Sequence, residues 1–595
     1  MKPTSEVLER IKRNSGEHPD GVYTKIYRYL LREDIYLAAY QNLYANAGAA
    51  TKGTDDDTAD GFGKEYVEGI IGQLRNLEYR PKPVRRTYIP KQNGKMRPLG
   101  IPSFRDKLIQ DAIRQILEAI YEPVFSDNSH GFRPGRSCHT AFRGIKYGFN
   151  GAKWFIEGDI KGCFDNINHK KLLEIISRKV KDSKLIDLIG AFLKAGYMED
   201  WSYHQTYSGT PQGGILSPIL ANIYLSELDA KVEEIKKEFD TNGKPEFTDE
   251  YQNVRREIGR YHARIKRHPE SPEAEQWKIC KIAAENKIKT TPTYNPCNKR
   301  LSYVRYADDF LIGVVGSEKD CEKIKVKLKD FLMNELQLVL SDEKTKITHS
   351  SNKARFLGYD VSVRRSSEIK KRNDGVKQRT LNNRVELTIP LTDKIENFLI
   401  LNSYGLREAN GHIKPVAAKG LRNRSDVDIV STYNSQMRGL CNFYHMAGNF
   451  AKLDYFAYIM EYSCLKTLAS KHQTTMAQAR ADRRIGKKWG VTYSTTKGKK
   501  TLMFLNMQDL KDARQIVSSV KLDAIPKAVS THSELVNRIM VGACELCGST
   551  KGPFEVHHVA KLKELKGYKP WEQKMLSMRR KTLIACKDCH KLIHS

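Results

Sequence analysis

The chain has 595 residues, long enough for several domains with separate cores, and no stretch approaches eighteen consecutive apolar residues, so no membrane span is expected. Its 101 Lys and Arg against 70 Asp and Glu give a formal charge of +31, which suits a polyanionic partner and an affinity that falls steeply with salt. The start, Met1-Lys2-Pro3-Thr4-Ser5-Glu6, lacks the charged-then-apolar pattern of a secretory signal, so a cytoplasmic location is expected.

Residues 1–80 carry a helical pattern around Val22 to Tyr44, broken by the polar, Gly- and Asp-rich stretch Gly48 to Gly63. Trp154-Phe155-Ile156-Glu157-Gly158-Asp159 is an apolar run ending in an acid, and Leu172, Ile176 and Val180 follow at the spacing of a helix. A charged insertion, roughly 231–299 and interrupted by Pro269 and Pro272, has the pattern of an exposed helical hairpin. Its Arg255, Arg256, Arg260, Arg264, Lys266 and Arg267 are candidates for contact with phosphates.

Two β-prone runs, Leu301 to Val304 and Phe310 to Val315, flank the step Tyr306-Ala307-Asp308-Asp309, which predicts a hairpin with two acids at its tip. Two carboxylates about 4 Å apart repel by roughly 4 kcal/mol at an effective dielectric near 20, so the pair calls for a cation or protons. Oxygen-only ligands favour a hard ion such as Mg²⁺. A bare Asp-Asp pair is usually a solvated tip. With Asp159 arriving from another strand, however, three acids can hold two metals for in-line phosphoryl transfer.

The stretch Arg364 to Arg379 is strongly basic, opposed only by Glu368 and Asp374, and suits backbone contact with a duplex. Tyr433 to Asn449 and Leu453 to His472 predict helices dense in Tyr, Phe, Met and Leu, best read as a core. Residues 481–540 predict a basic linker with a small helical region.

Eleven cysteines divide into seven scattered thiols and two C-x-x-C pairs, Cys544/Cys547 and Cys586/Cys589. Without an export signal the pairs point to zinc rather than disulfides, in a closed four-thiolate site that would supply folding energy to a small segment. Between them lies the strand-like step Glu555-Val556-His557-His558, and after them His590 and His594 share one helix face.

Two further blocks are Pro90-Lys91-Gln92-Asn93-Gly94-Lys95-Met96-Arg97-Pro98 and Gly209-Thr210-Pro211-Gln212-Gly213-Gly214-Ile215-Leu216-Ser217-Pro218. Lys344-Thr345 and Phe356-Leu357-Gly358-Tyr359 complete the series. In this order and spacing the blocks resemble the group II intron-encoded proteins, LtrA-type members in particular, over nearly the whole chain. The resemblance implies a YADD reverse transcriptase motif at Tyr306–Asp309, with Asp159, Asp308 and Asp309 as Mg²⁺ ligands and catalytic residues. It also implies Phe164 as the steric gate against ribonucleotides, Gln212 on the incoming nucleotide, and Lys91 and Arg97 on its triphosphate. Phe356 to Tyr359 would be the primer grip.

The tail resembles HNH endonucleases. That resemblance implies His557, His590 and His594 as ligands of a nuclease metal, again Mg²⁺, His558 as general base, and Cys544, Cys547, Cys586 and Cys589 on structural Zn²⁺. One departure is that the family's central Asn falls near Lys581-Thr582, with Thr582 a partial substitute.

The implied fold is α+β and multidomain: a right-hand polymerase with an antiparallel palm sheet, a helical thumb and a small zinc-stapled ββα-metal (HNH) C-terminal domain. Its parts would be an N-terminal extension (1–80), fingers and palm (81–365), a thumb or maturase domain X (366–480), a DNA-binding segment (481–540) and the nuclease (541–595). Implied partners are a group II intron RNA, an RNA template with DNA primer, target DNA and dNTPs, with monomer or dimer on the intron RNA left open. The implied function joins RNA-directed DNA polymerase, splicing maturase and DNA endonuclease in intron mobility by target-primed reverse transcription. Two other classes compete: an RNA-binding splicing cofactor with unused enzymatic sites, and a reverse transcriptase of another retroelement.

Overall fold

A computed structural model describes the chain except residues 1, 47, 91–93, 95, 200, 201, 205, 207, 208, 210–212, 242–245, 294–298, 367, 368, 372–376, 380, 381, 496, 497 and 518–533. At its centre is a four-stranded antiparallel sheet in the order Lys346–His349, Trp154–Asp159, Asp309–Val315, Arg300–Tyr306. Side chains of a strand alternate between faces, and here each face feeds a different core. Phe310, Ile312 and Val314 point into one core with helices Phe104–Tyr121, Ser217–Phe239 and Glu318–Glu335. Leu311, Phe155 and Val304 point into the other, with helices Cys138–Gly148, Asp426–Phe443 and Leu453–His472. The sheet is therefore sealed on both sides, and its polar end is where the acids sit.

A second sheet runs in the order Met96–Ile101, Val84–Pro90, Tyr197–Glu199, Ser202–His204, with Val84–Pro90 and Tyr197–Glu199 parallel. The charged insertion is the expected helical hairpin, Asp249–Arg267 and Ala274–Lys287, with Val254, Ala274 and Ala284 buried. Its six named basic residues are all exposed.

Two elements depart from the sequence expectations. The helix expected to run to Asn449 stops at Phe443, where Tyr444 turns back and its hydroxyl donates to Gly358 O at 3.1 Å. Residues 484–517 are more than a basic linker. They form a hairpin, Lys488–Thr495 with Gly498–Met503, and then a helix, Met507–Val517. Trp489, Val491, Phe504 and Leu510 join the core of helices Asp426–Phe443 and Leu453–His472. Asn434 clamps the hairpin's end by donating to Met503 O at 2.8 Å and accepting from Leu505 N at 2.9 Å.

The tail pairs Phe554–His558 with Thr582–Cys586 antiparallel and ends in the helix Lys587–His594, a ββα unit around Met575, Leu583 and Ile593. A third strand comes from far upstream: Phe62 pairs with Val556 and Gly63 with Glu555. The approach requires glycine, since a Cβ on Gly63 would lie 2.4 Å from Phe554 O. Phe62 also stacks on Tyr40 at 4.0 Å, so the N-terminal segment ties the tail to the main core. No described helix is long and apolar enough to cross a membrane.

Candidate active sites

Asp159 ends its strand and Asp309 opens the next one, and the two face each other directly in the antiparallel register. Asp309 also pairs with Tyr306 across a two-residue turn, Ala307-Asp308. Ala307 sits at φ 56, a left-handed conformation that costs an L-residue energy and persists only when the surroundings fix it. They do so from two sides. Arg305 Nη1 donates to Ala307 O at 2.9 Å, and Gly131 packs so closely that a Cβ there would lie 2.4 Å from Ala307 N. Arg305 is 0% exposed, with Nε and Nη2 donating to Asp229 at 2.7 and 2.6 Å. Tyr303 OH donates to the same carboxylate at 2.8 Å, and Asn222 links Arg305 Nη1 (3.3 Å) to Gly131 O (2.9 Å). A fully bonded buried ion pair thus stands under the turn.

Burial raises the Asp308 carboxyl, and Asp159 raises it further. Burial, then Asp308 and Asp159, push Asp309 up to about 7. The countercharge is Lys344, whose Nζ donates to Asp159 at 2.9 Å. Two carboxylates raised by burial and mutual repulsion, beside the Asp159 carboxylate and the Lys344 ammonium, are a donor set suited to a hard divalent cation.

Phe164 lies on the short helix Cys163–Asn166, edge-on to Phe132 at 6.2 Å, and the Phe132 ring is 6.5 Å from Tyr306. Gly209 and Gly213 each pack against a neighbouring segment. Gly209 N donates to Ile167 O at 2.8 Å, and a Cβ on Gly213 would lie 2.7 Å from Gly100 O. Gly209 therefore lies against the Phe164 segment and Gly213 against the strand that carries Arg97, which is exposed. Lys91 and Gln212 lie outside the described residues. Leu357 and Gly358 form a turn with positive φ that Tyr359 fastens to the end of helix Asp426–Phe443 by donating to Phe443 O at 2.7 Å. Beyond it the basic stretch is partly engaged within the protein: Arg364 pairs with Glu386, and Arg365 donates to Ala152 O at 3.1 Å.

In the tail the four Cys Sγ atoms lie within 4.8 Å of one another. Burial opposes ionisation of Cys544, but backbone N–H groups of Cys547, Cys586 and Leu546 bring its thiol down to about 6. Burial and the neighbouring cysteines raise Cys589. Four clustered sulfurs with one poised as thiolate fit a soft or borderline divalent ion.

His557, His590 and His594 also converge, joined by a residue the sequence did not suggest, Asp60. The His590 and His594 Nε2 atoms are 3.3 Å apart, and His590 Nδ1 donates to Glu555 at 2.5 Å, which leaves Nε2 free for a metal. His558 Nε2 donates to Tyr44 O at 3.0 Å, so its buried Nδ1, which has no hydrogen-bond partner, carries the lone pair a general base needs. Thr582, at the position of the family's central Asn, accepts from Arg538 through its hydroxyl and carbonyl at 3.2 and 3.0 Å. The loop after His558 is held by Val559 N donating to Lys581 O at 3.0 Å.

Over its full length the chain is 52% identical to the group II intron-encoded protein LtrA of Lactococcus lactis subsp. cremoris, across 603 aligned residues and the whole of that protein. The chain belongs to the group II intron-encoded proteins. It is also 35% identical to an uncharacterised 91 kDa protein in the cob intron of Schizosaccharomyces pombe, covering 99% of this chain and 72% of that one. A putative COX1/OXI3 intron 1 protein of Saccharomyces cerevisiae is 33% identical over 99% of this chain and 71% of that one. Family models match in three places: reverse transcriptase (RNA-dependent DNA polymerase) at 89–244 and 279–361, type II intron maturase at 382–532, and AI2M/AI1M-like HNH endonuclease at 544–590. This group II intron-encoded protein is accordingly an RNA-directed DNA polymerase, an intron maturase and an HNH endonuclease, acting on intron RNA, template and DNA with divalent metals. The maturase match runs through the 488–503 hairpin, in keeping with one core that takes in both helices and hairpin.

Proposed function

We propose that Asp159, Asp308 and Asp309 hold the polymerase Mg²⁺ ions, and that Cys544, Cys547, Cys586 and Cys589 hold a structural Zn²⁺. The observation that carries the first reading is the register that sets Asp159 against Asp309 at the polar end of a sheet buried on both faces. Bound Mg²⁺ would supply Lewis-acid stabilisation of the attacking 3′ oxygen and of the leaving pyrophosphate. Around it the chain's own groups have separate tasks. Phe164 closes the space beside the sugar, Gln212 contacts the nucleotide, and Arg97 with Lys91 grips the triphosphate. Lys344 balances the acids until substrate arrives.

In the tail, His557, His590 and His594 would hold the nuclease metal, which would polarise the scissile phosphate. His558 accepts the proton of the attacking water at Nδ1, in the tautomer that Tyr44 O fixes. The exposed arginines of the insertion suit intron RNA phosphates, and segments 1–80, 81–365, 366–480, 481–540 and 541–595 divide the work as their sequences imply. The protein would act in the cytoplasm as a ribonucleoprotein with its intron RNA. That RNA inserts into one DNA strand, the tail nicks the other, and the new 3′ end primes reverse transcription.

The test is a pair of variants assembled with intron RNA on target DNA. Asp308→Ala with Asp309→Ala should abolish cDNA and spare splicing and nicking, whereas His558→Ala should abolish nicking and spare extension of an annealed primer. Loss of splicing together with cDNA in the first variant would overturn this division of labour.

A further inference from the structure

The Asp60 carboxylate lies against all three histidines assigned to the nuclease metal: Oδ1 is 3.0 Å from His557 Nδ1, and Oδ2 is 3.3 Å from His590 Nε2 and 2.8 Å from His594 Nε2. These gaps match the spacing of donor atoms around one small ion, since metal–nitrogen distances of about 2.0–2.1 Å set tetrahedral neighbours about 3.3 Å apart. The contact to His557 lacks hydrogen-bond geometry: both ring nitrogens of that buried histidine are without a hydrogen-bond partner. A ligand pair sharing an ion explains such an approach better than an ordinary hydrogen bond.

Asp60 does not arrive there by chance of a loose loop. Tyr40 OH donates to Ala59 O at 2.8 Å on one side, and Gly61 N donates to Val556 O at 3.0 Å on the other. Gly61 takes φ 78, open to glycine, and His558 N donates to Asp60 Oδ1 at 2.7 Å. The strand pairing of Phe62 with Val556 continues the same junction.

We propose that Asp60 is a fourth ligand of the nuclease metal, seated where the scissile phosphate must bind, so that the docked tail is an assembled but capped nuclease. The inference rests on His557, His590 and His594 being that metal's ligands. Three imidazoles and a carboxylate suit a borderline ion of tetrahedral preference better than Mg²⁺, and catalytic sites of that kind keep one position open for water or substrate, whereas sites with four protein ligands are closed. Three histidines alone would be open. With Asp60 the set is closed, while Tyr44 O already orients His558 for catalysis. Entry of DNA must then displace a carboxylate by a phosphate, an exchange of one anionic oxygen ligand for another.

The test uses the full-length protein with its zinc site filled, titrated with Co²⁺ and followed by visible absorption, beside nicking of supercoiled plasmid at saturating Mn²⁺. Asp60→Asn, which keeps the acceptor for His558 N, accompanies Asp60→Ala, and circular dichroism checks the fold of both. The proposal expects both variants to bind Co²⁺ at least tenfold more weakly, on the scale seen when metal-site partners are removed, and to nick faster than wild type. Unchanged Co²⁺ affinity would make Asp60 a mere ion-pair partner, and slower nicking at saturating metal would make it a constitutive ligand; either overturns the cap. Failure of wild type to bind Co²⁺ beyond the zinc site, with His590→Ala the same, would sink the nuclease-metal reading itself and the cap with it.

Discussion

The buried pair beneath the catalytic turn separates stability from function. Asp229→Ala leaves the Arg305 guanidinium, 0% exposed, without its countercharge, and takes from Tyr303 OH its acceptor. Removing one partner of such a pair costs about 3–5 kcal/mol, and the stranded hydroxyl adds about 1 kcal/mol. For a domain of this size that corresponds to a fall in Tm of roughly 10–20 °C. Replacing the whole set with apolar residues of similar volume, Asp229→Leu with Arg305→Met and Tyr303→Phe, should restore most of the loss, because no buried charge remains. Activity should not return with it. Arg305 also donates to Ala307 O, and without that bond the left-handed turn carrying Asp308 loses a support. Misplacing reacting groups by about 1 Å can cost roughly a hundredfold in rate. Thermal unfolding followed by near-UV circular dichroism, with primer extension on the same samples, reads both quantities. A melting point for Asp229→Ala within 2 °C of wild type would refute the energetics, a threshold well below the ~10 °C fall expected. Wild-type extension by the triple variant would refute the role in positioning.

Phe164→Val should raise ribonucleotide incorporation in a competition between dNTP and rNTP, since a smaller side chain opens the space beside the 2′ position; unchanged sugar selectivity would remove the gate. Cys586→Ser should lose one zinc equivalent by atomic absorption and make residues 541–595 protease-sensitive, with primer extension intact. Asp309 must shed its proton to ligate a metal, and burial with Asp308 and Asp159 raises that carboxyl to about 7. Below that pH the proton competes and above it the carboxylate is free, so Mn²⁺ affinity should rise from pH 6 to pH 8 and then level off. Titration by electron paramagnetic resonance would show it, and a flat profile would count against the burial argument.

The polymerase centre was legible because it is built from local signals. Continuous apolar runs mark strands buried on both faces, so Asp159, Asp308 and Asp309 emerge at the strand ends. The support beneath them carried a fainter signal: Arg305 sits inside an apolar run, and Asp229 on a helix face beside Leu225, Leu228 and Val232. A charge in such a setting needs a buried partner, though nothing local says which. The 488–495 strand carries a weak signal, because Gly490 interrupts the apolar pair Trp489 and Val491 and the basic residues Arg480, Arg483, Arg484, Lys487 and Lys488 before it have the composition of a linker. Asp60 could not be read at all. It meets His558 across 498 residues, and its own stretch of Asp, Gly and Thr has the composition of a surface loop.

The central claim is that the three clustered carboxylates make this group II intron-encoded protein a metal-dependent RNA-directed DNA polymerase. It is tested most directly by primer extension on an RNA template with Mg²⁺ and dNTPs, comparing wild type with Asp308→Ala, both shown to be folded. Extension by wild type and none by the variant is the predicted result. Equal extension by both would contradict the assignment of that site.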